Sequence, residues 1–367
     1  MDNYKQMLTA NWNDRIGKLR NTVYAWKGRY FANLKQRIEI LNCFTLSRIF
    51  YFAAVIPLTR SALQSINSIV GDFIWKNSGK VLRIARDELV NSEFRGGLGL
   101  LDTEAMCNSL IASQTFRLMK SCDTKSQKHL YYWMHGFFEN VWNGPGNCVN
   151  NTNYESDHFN RIAGLLSNVQ ILEDFNISAW AGYTNKLIYL CFAKSFNFTK
   201  IERDSSYEMS SVWQRLKFLG FSRNVQEVCF LMVHNKLPVN ERLFRIRLSR
   251  DPYCPSCAAA SIQDIEHYFM VCEVSKFYWE WTRNLCHKLL GRLAALDDTS
   301  LLHFNWPHSR NDGAISWLLG HYIFIVWDML QNQKLSRVND GAFFGYMRYK
   351  YKEAVGMGLI GTITGLE

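Results

Sequence analysis

Three cysteines and one histidine fall within the single segment CPSCAAASIQDIEHYFMVC. Their spacing is Cys-x2-Cys-x9-His-x4-Cys. A Cys-x2-Cys pair commonly forms a tight turn that directs both sulfurs at one point, and Zn²⁺ prefers four sulfur and nitrogen ligands in a tetrahedron. The pattern therefore predicts a closed, structural zinc site without catalytic function. Its ligands would be Cys254, Cys257, His267 and Cys272.

Two alternatives compete with this interpretation. The four side chains could be core residues that share a segment by coincidence, or Cys286 and His287 could replace one of the ligands.

Zinc binding by such small modules contributes about 10–16 kcal/mol, which exceeds the roughly 5–15 kcal/mol stability of a whole domain. If the site binds zinc, residues 250–275 should therefore be disordered without the metal.

Cations and aromatic rings alternate on both sides of the four ligands. Cations that neutralise phosphates, beside rings that stack on bases, are typical of proteins that bind single-stranded nucleic acid. The upstream segment predicts phosphate contacts by Lys236, Arg242, Arg245, Arg247 and Arg250, with Phe244 and Tyr253 among them. Downstream rings such as Phe269, Phe277 and Trp281 are more simply read as core.

The charge of the chain also favours a polyanionic partner. The net charge is +10, and residues 1–100 hold 15 Lys and Arg against 7 Asp and Glu. Such basic regions suit nucleic acid, although a solvated surface is the simpler alternative. Within residues 11–40, apolar residues recur at helical spacing and leave a basic face that includes Arg15 and Lys18. We expect these two side chains to contact phosphates as well.

Hydrophobic content of 48% predicts a sizeable core, and the apolar periodicity is helical in most segments. We expect a mainly α fold, with Thr59 capping one helix and another running from Thr103 to Lys120 after a glycine-rich turn, RGGLGLLD. The expected domains are a helical bundle at 1–142, a linking region at 143–205, a zinc-binding region at 206–300 and C-terminal helices at 301–367.

The sequence favours a reducing compartment and no membrane. There are ten cysteines, but the first residues lack the basic and apolar pattern of a secretory signal. The run AISWLLGHYIFIVW, residues 314–327, is too short to span a bilayer and predicts a buried helix.

Taken in order, these motifs resemble a known family. Five short sequences are similar to the zinc-binding segment of non-LTR (LINE-type) retrotransposon reverse transcriptases. They are Trp213 to Phe218, His234 to Leu243, Cys254 to Cys257, Asp264 to Cys272 and Phe277 to Trp281. Trp12, the run LNCFTLSRIFYFAAVIPL and RGGLGLLD resemble the thumb region of the same enzymes. The resemblance covers roughly residues 10–120 and 210–330.

The resemblance implies a thumb-like helical bundle followed by a helical C-terminal region with a small zinc knuckle. It also implies RNA or DNA as partner, the polymerase portion of the same element as a second partner, and nuclear or cytoplasmic residence. Catalysis is not expected, because Asp297-Asp298 lacks the preceding aromatic residue of the polymerase palm, whose carboxylates hold two metals. A zinc-stabilised protein-interaction module, with Trp279 and Trp281 as its docking surface, and an inactive retroelement relic stay open.

Overall fold

The structure is a computed structural model that describes residues 2–27, 33–75, 84–120, 125, 127–130, 132–133, 157–170, 185–193, 209–218, 220–257, 260–291, 297–331, 340–364 and 366. These residues form helices joined by turns. Within them, extended pairing is limited to an isolated antiparallel bridge between Tyr253 and Ile262. The predicted mainly α class is confirmed.

The α-helices are, in chain order, α1 (Asp2–Lys27), α2 (Leu34–Ile40), α3 (Ser47–Ala53), α4 (Arg60–Trp75), α5 (Arg86–Val90), α6 (Thr103–Lys120), α7 (Asp157–Gln170), α8 (Asn185–Phe192), α9 (Met209–Leu216), α10 (Arg223–Val233), α11 (Asn240–Arg245), α12 (Lys276–Leu290), α13 (Asp298–Leu302), α14 (Asp312–Gln331) and α15 (Asp340–Gly356). Two further segments, Leu41–Leu46 and His267–Val271, are π-helices, and Glu93–Arg95 is a 3₁₀ turn.

The chain divides into two compact units. The N-terminal unit contains Met1–Tyr30, Arg37–Ile74 and Leu100–Asn197, and the C-terminal unit contains Phe31–Gln36, Trp75–Gly99 and Phe198–Glu367. The domain boundaries predicted after residues 142, 205 and 300 stay predictions, and most of the predicted linking region at 143–205 lies outside the described residues.

The N-terminal unit is built on the apolar stripe of α1. Trp12, Ile16 and Leu19 are buried, as the helical spacing predicts. The Trp12 ring packs edge-to-face on Phe52 with centroids 5.1 Å apart, and its indole N–H donates to the carbonyl of Pro57 at 2.9 Å. Since this stripe faces the core, α1 turns its basic face to solvent.

The predicted cap of α4 and the predicted bounds of α6 are both confirmed. The Thr59 hydroxyl accepts a hydrogen bond from the amide of Ala62 at 3.2 Å, and α4 begins at the next residue, Arg60. Helix α6 has the predicted bounds, and it packs against α3, α7 and α8. Both helices begin where a side-chain oxygen satisfies amides of the first turn.

Helix α14 forms the centre of the C-terminal unit, where it packs against α9, α10, α12 and α15. It is long and apolar enough to cross a membrane, but 67% of its most apolar window is already buried inside the protein. The prediction of a buried helix at 314–327 is confirmed.

Burial lowers the pKa of His321, in the middle of this helix, to about 4, with a smaller contribution from Lys350. This histidine is therefore neutral at physiological pH.

The glycines of the glycine-rich turn pack closely within the C-terminal unit. Gly96 has φ +70°, and a Cβ there would lie 2.4 Å from the ring of Trp213. That ring stacks on His234 with centroids 5.2 Å apart, and His234 Nε2 lies 2.8 Å from the carbonyl oxygen of Gly96. At Gly97, a Cβ would lie 1.9 Å from the carbonyl oxygen of Asn91. The glycines are thus required for backbone approach, in agreement with the predicted structural turn.

Replacing Gly97 with alanine should destabilise the C-terminal unit by about 3 kcal/mol or more, because the added methyl group would overlap backbone that cannot rotate away. The control is Gly345→Ala, where a Cβ meets nothing within 4 Å on α15. That change should stabilise the helix by about 0.5–1 kcal/mol. Urea unfolding measures both, and equal midpoints for the two variants would contradict the packing described for the turn.

Candidate metal centre

The four predicted ligands lie together. The Sγ atoms of Cys254 and Cys272 are 3.7 Å apart, and those of Cys257 and Cys272 are 3.6 Å apart. Nε2 of His267 lies 3.4 Å from Sγ of Cys257. All four ligand atoms lie within 4.8 Å of one another.

These separations fit a tetrahedron around one Zn²⁺ ion. Bond lengths of about 2.3 Å to sulfur and 2.0–2.1 Å to nitrogen give tetrahedral edges of about 3.8 Å between sulfurs and about 3.6 Å between sulfur and nitrogen. The distances between these three pairs of atoms differ from the ideal edges by about 0.1–0.2 Å. A disulfide needs about 2.05 Å between sulfurs, and the three cysteines are free. The donor set therefore fits a metal.

A short hairpin-like loop positions the first cysteine. The amide of Cys254 donates to the carbonyl of Ser261 at 2.9 Å, and the amide of Gln263 donates to the carbonyl of Pro252 at 2.9 Å. These bonds flank the bridge between Tyr253 and Ile262. The loop thus ends close to the segment that bears the other two ligands, His267 and Cys272.

A π-helical turn positions the last two ligands. In an α-helix, residues five apart point about 140° away from each other, because each residue turns the chain by about 100°. Here the amide of Cys272 donates to the carbonyl of His267 at 2.7 Å, the i to i+5 bond of a π turn. The wider turn brings the histidine and the cysteine to one side. The carboxylate of Asp264 starts this segment by accepting from the amide of His267 at 2.7 Å.

The π turn is anchored in the core of the C-terminal unit. Phe269 and Tyr322 are fully buried, and the hydroxyl of Tyr322 donates to the carbonyl of Phe269. The Ser275 hydroxyl donates to the carbonyl of Tyr268 at 2.8 Å and joins the turn to the start of α12. The ligand segment is therefore held from the helical side by packing, and from the loop side by the hairpin bonds.

Without a cation, the thiolate form of Cys272 is disfavoured. Burial, with a smaller contribution from the neighbouring Cys254, raises the pKa of the Cys272 thiol to about 12. Metal ligands must be deprotonated, so metal binding releases protons and weakens as the pH falls. The side-chain Nε2 of Gln263 donates to Sγ of Cys254 at 3.6 Å, where it would stabilise a metal-bound thiolate. This supporting residue was not predicted, because no spacing rule marks it.

Two other cysteines, Cys229 and Cys286, and the pair Asp297-Asp298 do not take part in the candidate metal centre. Cys229 and Cys286 are buried, and burial raises the pKa of both thiols. Among the described residues, the potential metal cluster contains neither of them. Asp297 caps α13 by accepting from Ser300, and Asp298 accepts from the indole of Trp279 at 3.1 Å. Both carboxylates therefore have structural partners.

The predicted phosphate-binding residues are distributed unevenly. Arg247 and Arg250 are exposed, and Arg245 is 59% exposed with a weak ion pair to Glu241 at 3.5 Å. Arg242 is instead 5% exposed, and its guanidinium donates to the carbonyl of Lys236 at 2.9 Å. This arginine supports the turn after α10, so its burial does not suit the contact with phosphate that the sequence predicted.

In the N-terminal unit, the two predicted cations lie on the exposed face of α1. Lys18 is 63% exposed and pairs with Asp14 at 2.7 Å. Arg15 is 44% exposed and lies 4.9 Å from the centroid of the Phe52 ring. Exposed pairs of this kind are worth little, so both cations stay accessible to a polyanion.

The aromatic residues also separate into two groups. Phe269 is buried as predicted, whereas Phe277 is exposed. Trp279 is 2% exposed, so it cannot form the docking surface considered for a protein-interaction module. Phe244 and Tyr253 are each 48% exposed, on the segment that carries the accessible arginines. Rings and cations are thus available together upstream of the ligands.

The comparison with known families agrees with this centre. Residues 192–279 match the family model described as zinc-binding in reverse transcriptase. The matched range contains all four ligands, and it supports a zinc-binding region associated with reverse transcriptases. No curated protein matches the chain.

We expect the purified chain to carry about one equivalent of zinc, measured by plasma mass spectrometry. Cys272→Ser should lose it, because three ligands no longer close the tetrahedron. Cys43→Ser, which alters an exposed cysteine outside the cluster, should keep it. Chelation should expose residues 250–275 to protease, since the metal supplies about 10–16 kcal/mol. Zinc retained by Cys272→Ser would contradict this ligand set.

Proposed function

We propose that this chain is a zinc-containing nucleic-acid-binding protein related to the C-terminal part of non-LTR retrotransposon reverse transcriptases. Its partner is RNA, DNA or both, and the zinc is structural. The observation that carries the proposal is the Cys₃His cluster, joined to an exposed segment of arginines and aromatic rings. We call residues 244–253 the basic segment.

Hydrogen bonds connect the metal centre to the basic segment. The amide of Glu241 donates to the carbonyl of Gln263 at 3.0 Å, and the amide of Asn240 donates to the side-chain oxygen of Gln263 at 3.1 Å. The side chain of Asn240 donates to the carbonyl of Tyr253 at 2.7 Å. The start of helix α11 is thus hydrogen-bonded to the ligand loop on both sides of the bridge between Tyr253 and Ile262. An ion at the centre would thereby hold the basic segment in one conformation.

The chemistry of the basic segment suits a single strand. Arg245, Arg247 and Arg250 can neutralise phosphates, while Phe244 and Tyr253 offer ring faces to bases. The exposed cations of α1, Arg15 and Lys18, support a second contact with phosphates in the N-terminal unit. We infer from the resemblance that this unit is thumb-like and that the chain acts in the nucleus or the cytoplasm, without a membrane.

We further propose that the chain has no polymerase activity of its own. The hydrogen bonds of Asp297 and Asp298 support this, because these carboxylates serve a helix cap and a tryptophan instead of an open metal site. The polymerase portion of the same element would then be a second partner. Primer extension by the chain alone tests whether it has polymerase activity. Primer extension with the polymerase portion added tests the proposed partnership.

Binding to labelled single-stranded RNA and DNA should depend steeply on salt. The triple variant Arg245→Glu, Arg247→Glu, Arg250→Glu should weaken binding and reduce the slope of log K against log salt by about 2, because three phosphate contacts are lost at about 0.7 each. Fluorescence anisotropy at several salt concentrations measures the slope.

The matched control reverses three exposed cations outside the basic segment, Lys288, Arg310 and Lys352. It gives the same change in net charge, so its slope should stay close to that of the wild type. If both triple variants lose the same binding affinity, binding depends on net charge alone and the basic segment has no particular role. No binding by the zinc-loaded wild type at low salt would end it.

A further inference from the structure

A cleft of about 710 Å³ opens in the C-terminal unit, beside α9 and the first turn of α14. Its volume lies within the roughly 300–1,000 Å³ of small-molecule sites. The wall combines two carboxylates and a buried arginine with uncharged polar side chains and the ring of Phe218. Neither the metal centre nor the basic segment contributes to it.

The charges in this cleft do not suit a phosphate. Arg215 is buried, and its guanidinium donates to the carbonyls of Phe304 at 2.9 Å and Trp306 at 2.8 Å. It also pairs with Asp312 at 3.4 Å, so its charge is compensated. The carboxylate of Asp297 adds a further negative charge to the wall. The ring of His308 also lies against Asp312, with Nδ1 2.9 Å from the carboxylate. Among the described residues that line the cleft, an anion would therefore find no uncompensated cation.

Two carboxamide side chains in the wall are available for hydrogen bonds. Within the part of the chain that the structure describes, the side chains of Gln214 and Asn305 have no hydrogen-bond partner. Each carboxamide offers a donor and an acceptor side by side. This is the arrangement that pairs with the edge of a nucleobase, adenine above all, while a carboxylate such as Asp297 accepts from the amino group of cytosine.

Phe218 supplies an apolar surface next to these polar groups. Its ring approaches Gly313 in the first turn of α14, where a Cβ would lie 3.3 Å away. The ring is partly exposed and lines the cleft. Unpaired bases in RNA are typically bound by such a ring together with hydrogen bonds to their edges.

We propose that this cleft binds one unpaired nucleobase with an exocyclic amino group, adenine or cytosine, in preference to uracil. Gln214 and Asn305 would hold the edge of the base by hydrogen bonds, and Phe218 would contact its face. The carboxylate of Asp297 would accept from the exocyclic amino group, which uracil lacks. The inference rests on the proposed function, because the base would belong to the nucleic-acid strand that the chain binds. A free nucleoside presents the same chemistry, so the test includes both sources.

The experiment compares the zinc-loaded full chain with the double variant Gln214→Ala, Asn305→Ala. Anisotropy would measure binding to 12-nucleotide rA, rC and rU. The wild type should bind rA and rC about fivefold or more tighter than rU, the lower end of what one bidentate amide–base pair contributes. In the double variant the ratio should fall to about one, with rU affinity unchanged, because the cations are untouched. Asn284→Ala, an exposed asparagine on α12 outside the cleft, should keep the wild-type ratio.

Saturation-transfer NMR with free adenosine and uridine forms the second arm. Adenosine should give a signal with the wild type and lose it with the double variant. If oligonucleotides bind but the ratio is the same in both proteins, the cleft is not a base site, although the proposed function stands. If no oligonucleotide binds, the proposed function fails, and the adenosine signal alone decides the inference: its absence overturns it.

Discussion

Four ligand atoms converging within one small volume set the main constraint on the C-terminal unit. Three thiols and an imidazole have little reason to pack together unless a cation holds them, because buried sulfur gains more from apolar neighbours than from other sulfurs. The separations of 3.4–3.7 Å leave a centre of the right size for Zn²⁺. An ion there would tie the loop that bears Cys254 and Cys257 to the π turn that bears His267 and Cys272.

The metal centre connects two parts of the unit that differ in character. On one side, the π turn packs through Phe269 against Tyr322 in the central helix α14. On the other side, Gln263 receives hydrogen bonds from the start of α11, next to the basic segment. An ion at the centre would therefore join the exposed, charged surface to the apolar core. A closed four-ligand site of this kind would be structural and not catalytic.

Local signals in the sequence predicted the parts of this structure that depend on short spacings. The ligand set, the Thr59 cap and helix α6 each follow from residues a few positions apart, which the helix and loop geometry bring together directly. The class of fold followed in the same way, from apolar residues at helical periods.

Contacts between distant residues could not be predicted in this way. The burial of Arg242 depends on a carbonyl group at Lys236 that faces it only after the turn has formed. The Gly96 turn meets Trp213 and His234 although more than a hundred residues separate them along the chain. Periodicity shows that a residue faces a core, but it does not show which partner completes that core. For the same reason, the cleft beside α9 left no mark in the sequence.

Zinc K-edge X-ray absorption on the purified protein measures the central claim most directly. The account predicts a first shell of three sulfur atoms at about 2.3 Å and one imidazole nitrogen at about 2.0–2.1 Å, without an oxygen ligand. A shell with two sulfurs, or one dominated by oxygen and nitrogen, would contradict the proposed closure by Cys254, Cys257, His267 and Cys272.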